Sequence, residues 1–287
     1  MTMQKSIVVE GGAMRGIFSA GVLDHWIQEA ESVPQFDFCI GVSAGSTSLA
    51  SWLSSQHMRT YKVITDYSCR PEFINMPRFM RGGHGLDLDW LWEICIQEIP
   101  IDVERMLSRH TPLYAVTTQV DTAQAHYIEV TQDNAQELLK ASCSVPLAYR
   151  NYPKINGYEM TDGGVADSIP VEKAYQMGAR DITVILSNPL GYQKKPSRTP
   201  WLTKALFREK PKLAAAMLER WHKYNQSIAF IQSPPKDCTI RVIAPPADFP
   251  VKRLTKDIQK LNQGYAMGIE AAKDYLNKMN QAPNRVA

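Results

Sequence analysis

The chain has 287 residues, 44% of them apolar and 21% charged, with a formal net charge of +3. That is enough to bury the core of one large domain, or of one domain with a small appendage, and it excludes both a disulfide-stapled mini-protein and a charge-dominated disordered chain. The start, Met1 to Lys5, lacks a charged leader running into an apolar stretch, so no secretory signal is expected, and no apolar run approaches the roughly 18–20 residues of a spanning helix. The five cysteines (Cys39, Cys69, Cys95, Cys143, Cys238) are odd in number and scattered, without a Cys-x-x-Cys pair. They read as reduced thiols of a cytoplasmic protein rather than a disulfide frame or zinc site, with Cys143 as a buried structural thiol.

Ile7-Val8-Val9-Glu10 is strand-like and runs straight into Gly11-Gly12-Ala13-Met14-Arg15-Gly16, after which residues 17–29 suit a helix. A glycine-rich turn between strand and helix aims free backbone N–H groups at one spot, which suits an anion. A P-loop would end in Gly-Lys-Ser/Thr, and a dinucleotide fingerprint would place glycine at the third position, where this chain has Ala13. An oxyanion hole needs only two or three donors and fits better.

A second strand-like run, Phe36–Ile40, leads into Gly41-Val42-Ser43-Ala44-Gly45, followed by a helix-compatible stretch from Ser46 to Leu53. Strand, Gly-x-Ser-x-Gly, helix is the arrangement that exposes a serine hydroxyl as a nucleophile, with the helix N-terminus favouring negative charge beside it. The pentapeptide alone is equally an ordinary Gly/Ser turn.

Residues 77–85 (Pro77 to Gly85) read as a long glycine-bearing loop, with a place at an acyl entrance as the alternative. Asp87 and Asp89 are expected to cap a helix through Leu91-Trp92-Glu93 rather than to hold a metal. Further strands are expected at 113–120, 126–130, 182–186 and 239–244, and an amphipathic helix over 254–279 that covers the sheet. Strands alternating with helices predict an α/β fold with helices on both faces.

Asp162-Gly163-Gly164 is on its face a turn between two strands. Histidine positions give it another reading. A serine elbow of this type takes its acid and then its histidine further along the chain. Beyond Asp162 stands only His222, in the helix-like Arg220-Trp221-His222-Lys223-Tyr224. A dyad with Asp162 itself as the base is the simpler account.

From Gln193 to Lys223 stand nine Lys/Arg (Lys194, Lys195, Arg198, Lys204, Arg208, Lys210, Lys212, Arg220, Lys223) and two acids, a net +7 that leaves −4 for the rest of the chain. Trp201, Leu202, Leu206, Phe207, Met217, Leu218 and Trp221 are interleaved, and Pro200 and Pro211 suggest two helices. The segment is either a solvated helical hairpin packed by its apolar face or a surface that lies on an anionic bilayer. No nucleic-acid-binding signature accompanies it.

Glu10-Gly11-Gly12-Ala13-Met14-Arg15-Gly16, Gly41-Val42-Ser43-Ala44-Gly45 and Asp162-Gly163-Gly164, in that order, resemble the patatin-like phospholipase family. Ala141-Ser142-Cys143-Ser144-Val145-Pro146-Leu147 resembles the Ala-Ser-x-x-x-Pro block ahead of the aspartate, and the resemblance spans residues 5–190, with 191–287 as a C-terminal extension packed on the same domain. It implies a three-layer α/β/α fold around a mostly parallel sheet. It also implies a serine acyl hydrolase of phospholipids or lysophospholipids that needs no cofactor and works at a membrane surface. Ser43 matches the nucleophile and Asp162 the base; the amides of Gly11, Gly12 and Ala13, with Arg15 as a further member, match the oxyanion hole. Gly16, Gly41, Gly45, Gly163 and Gly164 match the motif glycines. Many members carry glycine where this chain has Ala13, a departure that strains the loop only if φ is positive there. A soluble esterase or thioesterase with the same dyad, and a catalytically silent lipid-binding protein, are the alternatives. Head group, positional preference and oligomeric state are left open.

Overall fold

The structure, a computed structural model, describes residues 3–281. Strand β1 (Gln4–Val9) lies at the centre of an eight-stranded sheet. It pairs in parallel with β2 (Phe38–Val42) on one side and with β7 (Ala179–Ile185) on the other. Beyond β7 comes β8 (Thr239–Ile243), again parallel. Beyond β2 comes β3 (Leu113–Gln119), which also pairs antiparallel with β4 (Ala125–Glu129) and with β6 (Tyr158–Asp162). The short β5 (Lys154–Ile155) closes a hairpin with β6.

Alternate residues of β1 serve opposite layers, as a strand buried on both faces requires. Ile7 and Val9 pack in a cluster with Phe18, Val22 and Trp26 of α1 (Ile17–Gln28), Leu49 and Leu53 of α2 (Ala44–Leu53), and Ala272 and Leu276 of α11 (Ile258–Gln281). Val8 joins Ile40, Val42 and Val184 against Val171 and Ala174 of α8 (Val171–Gln176) and Tyr224 and Ile228 of α10 (Pro211–Gln232). Helices α1 and α11 cross closely through glycines: a Cβ on Gly21 would meet Tyr265 O at 2.2 Å, and one on Gly268 would meet Phe18 O at 2.2 Å.

The remaining helices are α3 (Arg59–Lys62), α4 (Met76–Met80), α5 (Leu88–Glu98), α6 (Val103–Ser108), α7 (Ala135–Cys143) and α9 (Pro200–Leu206). Asp87 caps α5 by accepting from Trp90 N at 3.1 Å. Asp89 does not cap; it accepts from Lys140 Nζ at 2.6 Å and Tyr149 OH at 2.7 Å. The segment expected as a loop at 77–85 contains most of α4, started by Asn75, whose Oδ1 accepts from Arg78 N at 2.9 Å. Among the described residues no helix is long and apolar enough to cross a membrane.

Candidate active site

The sheet itself brings Ser43 and Asp162 together. Strand β2 pairs with β3 up to Val42↔Val116, and β6 runs the opposite way along β3 to Asp162↔Thr117. Because β4 occupies the other edge of β3 from Tyr114 to Thr118, β2 and β6 share one edge and meet end to end. Ser43, the next residue after β2, and Asp162, the last of β6, therefore leave the sheet at adjoining register positions. Both are buried, and both line one cavity of about 350 Å³.

The turn after β2 is strained at the serine. Ser43 has φ 53° and ψ −127°, a conformation that non-glycine residues adopt only when their surroundings hold them there. Its amide donates to Ser142 Oγ at 2.9 Å, which in turn donates to Val116 O at 2.7 Å. Its carbonyl accepts from Ser46 N at 2.9 Å and Ser46 Oγ at 2.7 Å, so the serine sits directly on the N-terminus of α2. The flanking glycines are not the residues with positive φ. They supply room: a Cβ on Gly41 would lie 2.4 Å from Ser46 Cα, and one on Gly45 would lie 2.4 Å from Val9 O. A Cβ on Gly16 would have more room, 3.1 Å from Ala44 Cβ.

Asp162 is held from both sides of its peptide. Its amide donates to Ser144 O at 3.0 Å, and its carbonyl accepts from Thr118 Oγ1 at 2.9 Å. Its Oδ1 accepts from Gly164 N at 2.8 Å, closing the Gly163–Gly164 turn. Gly163 is pressed against β3, where a Cβ would lie 2.2 Å from Val116 O. No hydrogen bond joins the Ser43 hydroxyl to Asp162, whose Oδ1 is taken by Gly164 N.

The glycine-rich turn after β1 faces the same cavity through Gly11, Gly12 and Ala13. Neighbouring amides are engaged: Glu10 N donates to Ile185 O at 2.9 Å, Met14 N to Arg253 O at 3.3 Å and Arg15 N to Gly12 O at 3.2 Å. Those of Gly11, Gly12 and Ala13 donate to no acceptor among the described residues. Ala13 has φ 51°, so the methyl that replaces a hydrogen here does carry strain. Arg15 departs from expectation. It does not line the Ser43 cavity; its Nη2 donates to Ser187 Oγ at 3.1 Å and its side chain faces a separate cavity.

A second cavity of about 110 Å³ reaches Ser43 from the side of α2 and α5, walled by apolar side chains that include Ile64, Phe73, Leu88 and Leu91. Leu86 and Ile74 line both cavities, and Met76, Phe79 and Gly85 place the 76–85 segment on the wall beside Asp162. Cys143 lies on the apolar wall, and burial, reinforced by the Asp162 charge, pushes its thiol well above the usual range. It is therefore a poor nucleophile, as expected of a structural thiol. No histidine lines either cavity; His222 is exposed on α10.

Three contributors escaped sequence reasoning. Ser142, inside the block already noted before Asp162, holds the Ser43 amide. Ala44, as the first residue of α2, has an amide with no partner one turn back, beside Ser43. Arg220 and Arg253 line the Ser43 cavity from far along the chain. The basic segment is likewise not one solvated face. Lys195, Arg198, Lys204, Arg208, Lys212 and Lys223 are exposed, whereas Lys194 and Arg220 turn inward and Lys210 pairs with Glu159 at 2.9 Å.

A family model described as patatin-like phospholipase matches residues 7–175, and one described as a domain of unknown function (DUF6363) matches residues 210–283. The chain is 31% identical over 270 residues to a protein of Escherichia coli (strain K12) named "Uncharacterized protein YjjU", covering 92% of this chain and 74% of that one. A crystal structure of VipD from Legionella pneumophila superposes with a TM-score of 0.49 at 10% identity, covering 97% of this chain and 67% of that one. With more than half of its length matched by the family model, the chain belongs to the patatin-like phospholipase family.

Proposed function

We propose that this protein hydrolyses acyl esters of phospholipids or lysophospholipids, with Ser43 as nucleophile and Asp162 as base. The observation that carries the reading is the end-to-end meeting of β2 and β6 on one edge of β3, which puts a strained serine and a buried carboxylate in one cavity. Ser43 Oγ attacks the ester carbonyl while its proton passes to the Asp162 carboxylate. The tetrahedral oxyanion takes N–H bonds from the Gly11–Ala13 turn, each such preset donor being worth about 3–4 kcal/mol. Collapse breaks the ester C–O bond, and Asp162 returns the proton to the departing alkoxide. Water then attacks the acyl-serine, giving its proton to Asp162; collapse breaks the acyl–Oγ bond, Asp162 passes that proton to Ser43 Oγ, and the fatty acid leaves.

The apolar cavity beside Ser43 suits the acyl chain. Access from a bilayer is supported by α9, where Trp201, Leu202 and Leu206 are exposed alongside Lys204, and by Met76, Met80 and Leu254, exposed near the cavity walls. The test is lipid mass spectrometry after incubating wild type, Ser43→Ala and Asp162→Asn with mixed phospholipid vesicles. Free fatty acid and lysolipid from wild type alone support the reading. Turnover of water-soluble esters or acyl-thioesters but of no phospholipid favours a soluble esterase instead, and turnover of neither overturns hydrolysis.

A further inference from the structure

Beside the Ser43 cavity lies a third, of about 320 Å³, whose wall differs from both others. Five basic side chains line it: Arg15 from the turn after β1, Lys194 and Lys195 from the segment after β7, Arg220 from α10, and Arg253 from the segment before α11; Lys195 and Arg253 are exposed, the other three half-buried. Arg220, Arg253 and Met217 also line the Ser43 cavity, so the two spaces share a wall. Arg220 Nη2 lies 3.0 Å from where a Gly164 Cβ would stand, and Asp162 Oδ1 lies 2.9 Å from the same point. The cationic wall therefore begins beside the catalytic carboxylate.

The burial of Arg15, Lys194 and Arg220 carries a cost that the charges of Glu10 and Asp162 offset only in part. Among the described residues none of the five is in an ion pair. Only four buried side-chain polar atoms among the described residues lack a hydrogen-bond partner, and two of them are the Nε atoms of Arg15 and Arg220. Lys194 makes do with Ser168 Oγ at 3.3 Å and the face of Tyr224 at 3.9 Å. Burial, with Arg220, Arg253 and Arg15 close by, pushes its ammonium down to about 6, against the opposing pull of Glu10. Glu10 does not pair with them: its Oε2 accepts from Ser187 N at 2.8 Å and its Oε1 from Asn188 Nδ2 at 3.3 Å. Half-buried guanidinium groups whose Nε atoms have no partner, converging with a lysine on an open cavity, suit an anion.

We infer that this cavity receives the phosphate of the substrate's headgroup and selects headgroups of net negative charge. The inference rests on the acyl-hydrolase reading of Ser43 and adds a specificity to it. A phosphate at Arg220 and Arg253 lies one shared wall from Ser43 and Asp162, the relation that a glycerol backbone sets between a lipid phosphate and its esters. Planar guanidinium forks match phosphate oxygens bidentately. A choline or ethanolamine amine would instead bring a further cation against this wall. The C-terminal extension thereby supplies the headgroup side of a site whose chemistry belongs to the N-terminal motifs.

The test has a binding arm and a turnover arm. In the first, glycerol 3-phosphate, inorganic phosphate and phosphocholine are titrated calorimetrically into the full chain bearing Ser43→Ala, alone and combined with Lys194→Met or Arg253→Gln, with melting curves to confirm folding. In the second, kcat/KM for phosphatidylglycerol and phosphatidylcholine of matched chains is compared in neutral detergent micelles. Expected are binding of glycerol 3-phosphate, weakened about tenfold or more by either cation substitution, and a phosphatidylglycerol preference of about tenfold that collapses toward unity in both variants. Binding of inorganic phosphate as tight as that of glycerol 3-phosphate, without a headgroup preference in turnover, would assign the cavity to free phosphate and overturn the inference. So would no binding in any arm, or an unchanged preference in variants that fold. Glycerol 3-phosphate binding lost in the variants, with no ester hydrolysed by wild type, would leave the subsite standing and sink the hydrolase reading instead.

Discussion

The two sides of Ser43 are built from opposite materials. Toward α2 and α5 the wall is mostly apolar, set by Ile64, Phe73, Leu88 and Leu91, with Arg59 and Arg253 also on it. Toward α10 it turns cationic, set by Arg220 and Arg253 with Arg15 and Lys194 behind them. The apolar wall is stabilising as it stands, since each side chain leaves water for a packed neighbour. On the cationic side, burial of Arg15, Lys194 and Arg220 costs stability that a bound anion would recover. The proposed substrate, an amphiphile whose ester would sit at the seam, matches a site with one apolar and one cationic side.

The largest effect falls on the seam. Ser43→Ala and Asp162→Asn should each lower kcat for any accepted ester by about 1,000-fold or more, read by fatty-acid release at saturating substrate. Equal loss from both substitutions, with no further loss in the double variant, would show them acting as one unit.

On the cationic side, Lys194→Met should raise the stability of the unliganded protein by about 1–4 kcal/mol in denaturant titration. Because the folded pKa of about 6 lies below the unfolded lysine value, the unfolded state binds more protons between these values. The lysine's cost is thus small above pH ~10.5, grows as pH falls and levels off below about 6. The gain from Lys194→Met should follow that course, and a gain independent of pH would show that the ammonium is not the cause.

On the apolar side, Leu86→Trp should narrow the space where both Ser43 cavities touch, lowering kcat/KM for a long-chain ester about tenfold relative to a butyrate ester. A proportional loss for both chain lengths would indicate a damaged seam rather than a shortened wall. At the outer surface, replacing Trp201 and Leu206 with serine should weaken partitioning onto anionic vesicles about fivefold in a sedimentation assay, leaving hydrolysis of a water-soluble ester intact. Unchanged partitioning would detach α9 from the membrane. The smallest effect is expected at Ala13, where glycine should relieve the strain of φ 51° and raise stability by about 0.5–1 kcal/mol by denaturant titration. A loss of stability would mean that the methyl packs better than the turn bends.

What could be read from the residues divides along the same line as the site. The chemical half is local: β1 with its turn and β2 with its elbow are each contiguous, so strand, glycines and helix signal together. The six strands expected between Ile7 and Ala244 all form, and so do the two helices around Pro200 and Pro211, although α10 runs on to Gln232. The β5–β6 hairpin was given no bounds because Tyr158–Asp162 offers only Tyr158 and Met160 as apolar alternation and is held as a strand by its pairing with β3, some forty residues earlier. The elbow glycines were legible as a motif, but the left-handed conformation fell on Ser43 while the glycines answered to Val9 O and Ser46 Cα. The cationic wall was the least legible part. Arg15, Lys194, Arg220 and Arg253 come from four separate segments, and a run of Lys and Arg carries no mark of which members turn inward. Arg15 was noticed for its place in the glycine turn and assigned to the oxyanion hole; the fold sends its guanidinium to Ser187 instead.

The central claim, that Ser43 is a nucleophile activated by Asp162, is tested most directly by trapping the serine itself. Purified protein is treated with a fluorophosphonate, which phosphonylates activated serines, and the adduct is located by peptide mass spectrometry. The account predicts one adduct, on Ser43, formed rapidly in wild type and far more slowly in Asp162→Asn. No adduct at Ser43, or one whose rate is indifferent to Asp162, would contradict it.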